Sequence, residues 1–248
     1  MQEIQFDRKQ LKLDARAAMR EHRPSIYPVT LVFLVVTLIL EILATRIQYP
    51  GLDLREIVLL NYDEDMMERA IRLSMQNRSA AGSFLNFAID LMSLFLSGGF
   101  LLFCLNTARR EEAGFGTLFE LFNYFFRFLW LEILTGLFIF LWSLLLVIPG
   151  IIAAYRYSMA LFIFFDDPEK GALQCIRESK EMTRGYKGRL FVMDLSFIGW
   201  ILLSVIPLVS IFTVPYISVT HANCYRLLSG QTSARQPQSP SGETPWSF

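Results

Sequence analysis

The sequence predicts an all-α membrane protein: six transmembrane helices as three hairpins, with amphipathic cytoplasmic helices between them. Three observations carry that expectation. Hydrophobic residues make up 53% of the 248 and charged residues 19%, against about 45–50% and about 25% in soluble domains. The apolar residues also collect in blocks close to the ~20 needed to cross a ~30 Å hydrocarbon core. Finally, residues 141–168, LWSLLLVIPGIIAAYRYSMALFIFFDDP, read as the end of one span, a Pro-Gly reversal, a second span, and an exit into water at Asp166-Asp167.

Residues 1–26 are expected to form a basic amphipathic cytoplasmic helix. Asp7 can cap it, with Gln10 placed for a reciprocal bond. Lys9, Lys12, Arg16, Arg20 and Arg23 recur at helical spacing on one face, opposite a weaker apolar face of Leu11, Ala15, Ala18 and Met19. Two readings fit: a helix lying on anionic headgroups, or a basic flank that holds the N-terminus inside. The segment has neither an apolar h-region nor a cleavage site, so a cleaved signal peptide is not expected.

Pro24 and Pro28 break the helix at the entry to the first span, about 27–44. The polar interval 45–83 is read as an outer loop. Its stretch 63–76 has helical pairs Asp65/Arg69 and Glu68/Arg72, and suits a packed connector or a ligand cap. Span two, about 84–105, carries Ser93, Ser97, Gly98 and Gly99, small residues that admit close approach of another helix. Thr117 and Glu120 read as a capping box opening an aromatic-rich helix that runs into span three, about 128–148. Pro149 and Gly150 form the turn into span four, about 151–165.

The interval 166–189 reads as a helix capped by Asp167, opened by Pro168 and ended at Gly185, with Leu173, Ile176 and Met182 toward the bilayer. Spans five and six, about 190–206 and 209–227, are separated by Pro207, and Pro215 interrupts the sixth. The membrane domain thus covers 27–228, followed by a Ser-, Pro- and Gln-rich tail, 229–248, expected to be disordered and cytoplasmic.

Basic residues set the orientation. The N-terminal flank and the 166–189 interval are rich in Lys and Arg, whereas the turns at Pro149-Gly150 and Pro207 carry none. With six spans both termini fall in the cytoplasm and the 45–83 loop outside. Trp142 to Pro149, WSLLLVIP, and Trp200 to Pro207, WILLSVIP, suggest an internal repeat of surface helix plus hairpin, in parallel orientation.

Ionisable residues inside spans invite a functional hypothesis. Glu41, Asp90 and Arg156 fall at similar depth, so Arg156 either pairs with one of the acids in a polar cluster or snorkels to the interface beside Tyr155 and Tyr157. Near the cytoplasmic ends, Arg127 with Glu132 and Arg189 with Asp194 read as interfacial pairs or a proton-relay site. His221 and Asn223 suit helix-to-helix hydrogen bonds or ligands.

Lys+Arg and Asp+Glu balance at 23 each, so nothing recommends nucleic acid as a partner. The three cysteines have neither disulfide nor zinc spacing, and no metal or cofactor is expected. Hydrolase, metalloprotease and nucleotide motifs are missing from the sequence, so an enzyme is not expected.

Residues 138–203 carry the order LWSLLLVIPG, YRYSMA, DDPE, MTRGYKGRLF, DLSFIGW. That order resembles the bacterial integral-membrane family known as domain of unknown function 975, more loosely from LKLDARAAMR and TARREEAGFGTLFELF onward. The resemblance implies location and architecture and brings no catalytic residues. Arg156 and Phe164-Phe165 depart from the usual pattern. The expected function is a non-enzymatic scaffold that binds membrane lipids or a partner protein through its cytoplasmic helices. The alternative is a small-molecule or peptide transporter, or a subunit of one, with a cavity near Arg156.

Overall fold

The computed structural model describes residues 6–21, 25–49, 80–204 and 206–231, with positions 65, 68 and 72. Among these the chain is helical and has no strand. In order come α1 (Arg8–Glu21), α2 (Ile26–Gln48) and α3 (Ala80–Arg109), then a 3-10 helix (Phe115–Tyr124). They are followed by α4 (Phe125–Leu145), α5 (Val147–Tyr157), α6 (Ala160–Asp166) and α7 (Ala172–Met182). The last three are α8 (Lys187–Leu195), α9 (Ile198–Leu203) and α10 (Pro207–Leu228). Glu68 and Arg72 pair at 2.9 Å; apart from position 65, the rest of the expected 63–76 helix, and the tail from 232, lie outside the described residues.

Among the described residues four helical stretches are long and apolar enough to cross a membrane: Ile26–Gln48, Ala80–Arg109, Phe115–Leu145 and Val147–Asp166. The expected fifth span is divided into α8 and α9 at Ser196-Phe197. α10 has span length, but Pro215 sits inside it and it carries buried Thr213, Thr220 and Asn223.

Burial is concentrated at one end of the molecule. α2 buries Ile26, Val29, Thr30 and Phe33 from its first turns only, whereas α3 buries residues of its second half, from Phe95 to Ala108. Phe33 stacks on Phe100, with ring centres 4.3 Å apart. α4 buries only Phe128 and Leu131, near its start. At the other end the helices lose their cover. Leu144 to Ile148 are each at least 65% exposed, and Phe84, Leu202 and Leu208 are similarly bare. Removing one such side chain from water is worth about 1.5–3 kcal/mol, so continuous exposed runs of them mark a surface made for lipid.

The close approaches follow from small residues. A Cβ on Gly99 would lie 2.1 Å from the Leu118 carbonyl oxygen, and one on Gly98 would lie 2.7 Å from Leu121 and Phe128 side-chain atoms. The small-residue patch in α3 therefore seats the 3-10 helix and the start of α4, as its composition implied. Cys104, Cys175 and Cys224 are free and buried.

Several local expectations are corrected. The reversal between α4 and α5 is made at Leu146, which has extended backbone; Pro149 and Gly150 belong to the first turn of α5. Gly150 is needed there for proximity rather than for an unusual φ, because a Cβ would lie 2.1 Å from Ser143 Oγ across the reversal. Pro207 opens α10, where its missing N–H removes no helical bond. Thr117 is buried within a 3-10 helix instead of capping an α-helix with Glu120, which is exposed. Packing of Leu118 and Leu121 against Gly99 and Gly98 has overridden the capping pattern. Asp167 Oδ1 accepts from the Glu169 N–H in a turn, and α7 starts later, after Gly171. Gly185, at φ 87°, shapes the link from α7 to α8. In α7 Ile176 is buried in the protein and Met182 packs partly against the core, leaving Leu173 exposed.

Candidate functional site

Polar groups gather where the buried ends of the helices meet. α3 ends with Arg110 at φ 60°, and the Glu111 N–H bonds back to the Asn106 carbonyl at 2.9 Å, a left-handed terminator. That stop places Arg109 against Asp166 at the end of α6. Asp166 also accepts from the Tyr225 hydroxyl of α10 and from Gln231 Nε2 at 2.8 Å. Nearby, Arg226 donates to the Ala108 carbonyl and to Asn223 Oδ1 at 3.1 Å. One carboxylate thus ties α3, α6 and α10 together. Charge-assisted bonds of this kind are stronger than neutral ones.

A second cluster joins α5, α8 and α10. His221 Nε2 lies 2.9 Å from Asp194 Oδ1, and the Tyr155 hydroxyl reaches the same carboxylate. On the outer side of α7, Lys170 and Glu178 pair at 2.9 Å. Hydrogen bonds from Gln174 and Lys170 hold the Glu178 carboxyl below its usual range, and the bond to Glu178 raises Lys170.

The expected pairs are re-sorted. Arg156 does not meet Glu41 or Asp90. Its guanidinium lies 5.8 Å from the Trp142 ring centre, and its carbonyl accepts from Ser179 Oγ and Thr183 Oγ1 at 3.0 and 3.2 Å. Glu41 and Asp90 stand exposed on α2 and α3. Arg127 donates to the Pro168 carbonyl at 3.1 Å instead of meeting Glu132. Arg189 lies over the Tyr186 ring at 5.5 Å and leaves Asp194 to His221. The helix-to-helix reading of His221 and Asn223 holds: Asn223 Nδ2 approaches the Leu11 carbonyl at 3.5 Å.

α1 does more than flank the membrane domain. Leu11, Ala15, Ala18 and Met19 are buried, packed chiefly against α10 and α3. Asp7 caps the helix by accepting from the Lys9 N–H at 2.9 Å. Gln10 turns to Asp14 at 2.8 Å and forms no capping box. Lys12 donates to Ser196 Oγ at 2.7 Å and sits 4.0 Å from the Phe197 ring centre. Arg16 lies over the Tyr216 ring at 5.1 Å. Beside it opens a cavity of about 290 Å³ lined by Arg16, Met19, Arg20, Tyr27, Trp200, Phe212, Thr213 and Tyr216. The basic spacing in α1 was visible in the sequence; the aromatic wall, contributed apart from Tyr27 by Trp200, Phe212 and Tyr216 from far later in the chain, carried no local signal there.

Long apolar helices, bare at one end and packed around ion pairs at the other, define an all-helical membrane protein. Residues 144–232 match the model of the family described as protein of unknown function (DUF975). No curated protein and no solved structure matches the chain. The matched segment supplies Asp166, Asp194, Trp200, Tyr216, His221 and Tyr225, while Arg16, Arg20 and Arg109 come from before it.

Proposed function

We propose that this chain is a non-enzymatic, six-span scaffold of a bacterial inner membrane, which holds a protein partner or lipid at its packed, basic end. Spans five and six in this reading are the broken α8–α9 pair and α10. The packed end and both termini face the cytoplasm, and the 45–83 loop lies outside. The observation that carries the reading is the coincidence of burial with charge. α1, the Arg109-Arg110 stop, Arg127 and the 170–189 cations all belong to the packed end, as the positive-inside rule requires of a cytoplasmic face. The repeated WSLLLVIP and WILLSVIP stretches fit a duplicated unit: each contains a break, at Leu146 or after Leu203, that leads into a new helix, α5 or α10.

The test is extraction into nanodiscs from native membranes, followed by mass spectrometry of whatever remains bound. A stoichiometric protein lost on substituting exposed residues of α7 supports the scaffold. Solute accumulation by proteoliposomes carrying the protein alone overturns it. A carrier reading draws its support from the Tyr155–Asp194–His221 cluster, polar groups from three helices. It draws none from Arg156, which stands apart from Glu41 and Asp90.

A further inference from the structure

The cavity beside α1 combines two chemistries that an amphiphile needs together. One lip is cationic, formed by Arg16 and Arg20; the wall is aromatic, with Tyr27, Trp200, Phe212 and Tyr216. The wall continues onto exposed apolar surface, since Phe212 is 56% and Leu208 73% exposed. Among the described residues no carboxylate lines the cavity, and neither arginine has an acidic partner. The acids of α1 are engaged elsewhere, Asp14 with Gln10 and Glu21 with Arg110 at 3.1 Å.

The positive charge is also crowded. Arg8, Lys12, Arg16 and Arg20 recur every fourth residue along α1, a spacing at which like charges repel. Lys12 registers that repulsion: burial first, then Arg8 and Arg16, hold its ammonium below the usual lysine range. Arg16 and Arg20, at the C-terminal end of that stripe, meet aromatic surface and no carboxylate among the described residues, so the helix presents both charges to an anion.

We propose that this groove holds an anionic phospholipid of the cytoplasmic leaflet, its phosphate between Arg16 and Arg20 and its acyl chains along Trp200 and Phe212. The site rests on the orientation argued above and adds the ligand to the scaffold reading. Apolar surface running out of the groove favours a lipid over a free phosphate, which would gain nothing from it. Arginine suits the phosphate end because its planar fork donates in pairs, and tryptophan and tyrosine suit the interface.

The test uses the full chain in nanodiscs with Trp200 as sole tryptophan, made by Trp130→Phe, Trp142→Phe and Trp246→Phe. Brominated phosphatidylglycerol is titrated against brominated phosphatidylcholine, and quenching of Trp200 is read. Preferential quenching by the anionic lipid is expected. Arg20→Gln, a change at an exposed side chain, should weaken the preference about fivefold, and Arg16→Gln with Arg20→Gln about 25-fold. Lys9→Gln with Arg177→Gln, which removes the same charge elsewhere, should leave it within about twofold.

Equal quenching by the two lipids overturns the site. So does a double variant indistinguishable from the charge-matched control, or relief of quenching by inorganic phosphate, which would assign the arginines to a soluble anion. Co-purification of a partner protein is read separately and bears on the scaffold alone, so the two ideas fail independently.

Discussion

Gly99→Ala isolates the contact that seats the 3-10 helix on α3. The added methyl would stand 2.1 Å from the Leu118 carbonyl oxygen and 2.6 Å from its carbon, where a carbon and an oxygen ordinarily keep about 3.3 Å or more. The obstacle is backbone, so it cannot rotate away. The 3-10 helix must retreat by about 1 Å, loosening Leu118 and Leu121, which are 1% and 3% exposed. Overpacking of this kind costs about 1–3 kcal/mol. The gain in helix propensity offsets about 1 kcal/mol of it, so a net loss of up to about 2 kcal/mol is expected.

Gly136→Ala is the matched control, since nothing lies within 4 Å of its Cβ position. It should be neutral or stabilising by up to about 1 kcal/mol. Gly98→Ala should fall between, because its neighbours are side-chain atoms of Leu121 and Phe128 that can shift. Reversible denaturation in mixed micelles, followed by circular dichroism, ranks the three. Gly99→Ala as stable as Gly136→Ala would refute the packing argument.

Two further outcomes are expected. Arg156→Gln should cost about 0.5–2 kcal/mol through loss of the cation–aromatic contact with Trp142. Combining it with Asp90→Asn should be additive to within about 0.5 kcal/mol, and rescue by the second change would restore the intramembrane pair. Glu178 carries a lowered folded pKa, so its stabilisation is present above the unfolded value of about 4.3 and is lost as pH falls through the folded one. Lys170 and Glu178 are 27% and 35% exposed, which limits the contribution to below about 1 kcal/mol. Thermal melts of Glu178→Gln against the parent should converge at low pH and separate above about pH 5; a constant gap across that window would count against the pair.

What the sequence made legible was local. Apolar runs located the long helices, and Gly98 and Gly99 announced a close approach. What it concealed depends on which distant helices meet. Asp166 looked like an exit into water, because nothing near it in the chain reveals Arg109, Tyr225 or Gln231 as partners. Arg189 and Arg127 had acids a turn away, yet Tyr186 and the Pro168 carbonyl took them, and Asp194 was left for His221. Proximity along a helix proposes a pair, and tertiary packing chooses among several. The left-handed stop at Arg110 was silent for a different reason, since terminators of that geometry are commonly Gly or Asn. The groove beside α1 is the largest such case: its arginines formed a visible stripe, and its aromatic wall becomes apparent only once α9 and α10 fold back along it.

Thiol labelling in intact bacteria tests the arrangement most directly. Single cysteines at Lys9, Gln48 and Arg177, in a chain with Cys104, Cys175 and Cys224 replaced, would be exposed to a membrane-impermeant maleimide before and after permeabilisation. Expected is labelling of position 48 from outside in intact cells, and of positions 9 and 177 only once the membrane is opened. Labelling of 9 or 177 in intact cells, or of 48 from the same side as either, would contradict the placing of the packed, basic end in the cytoplasm.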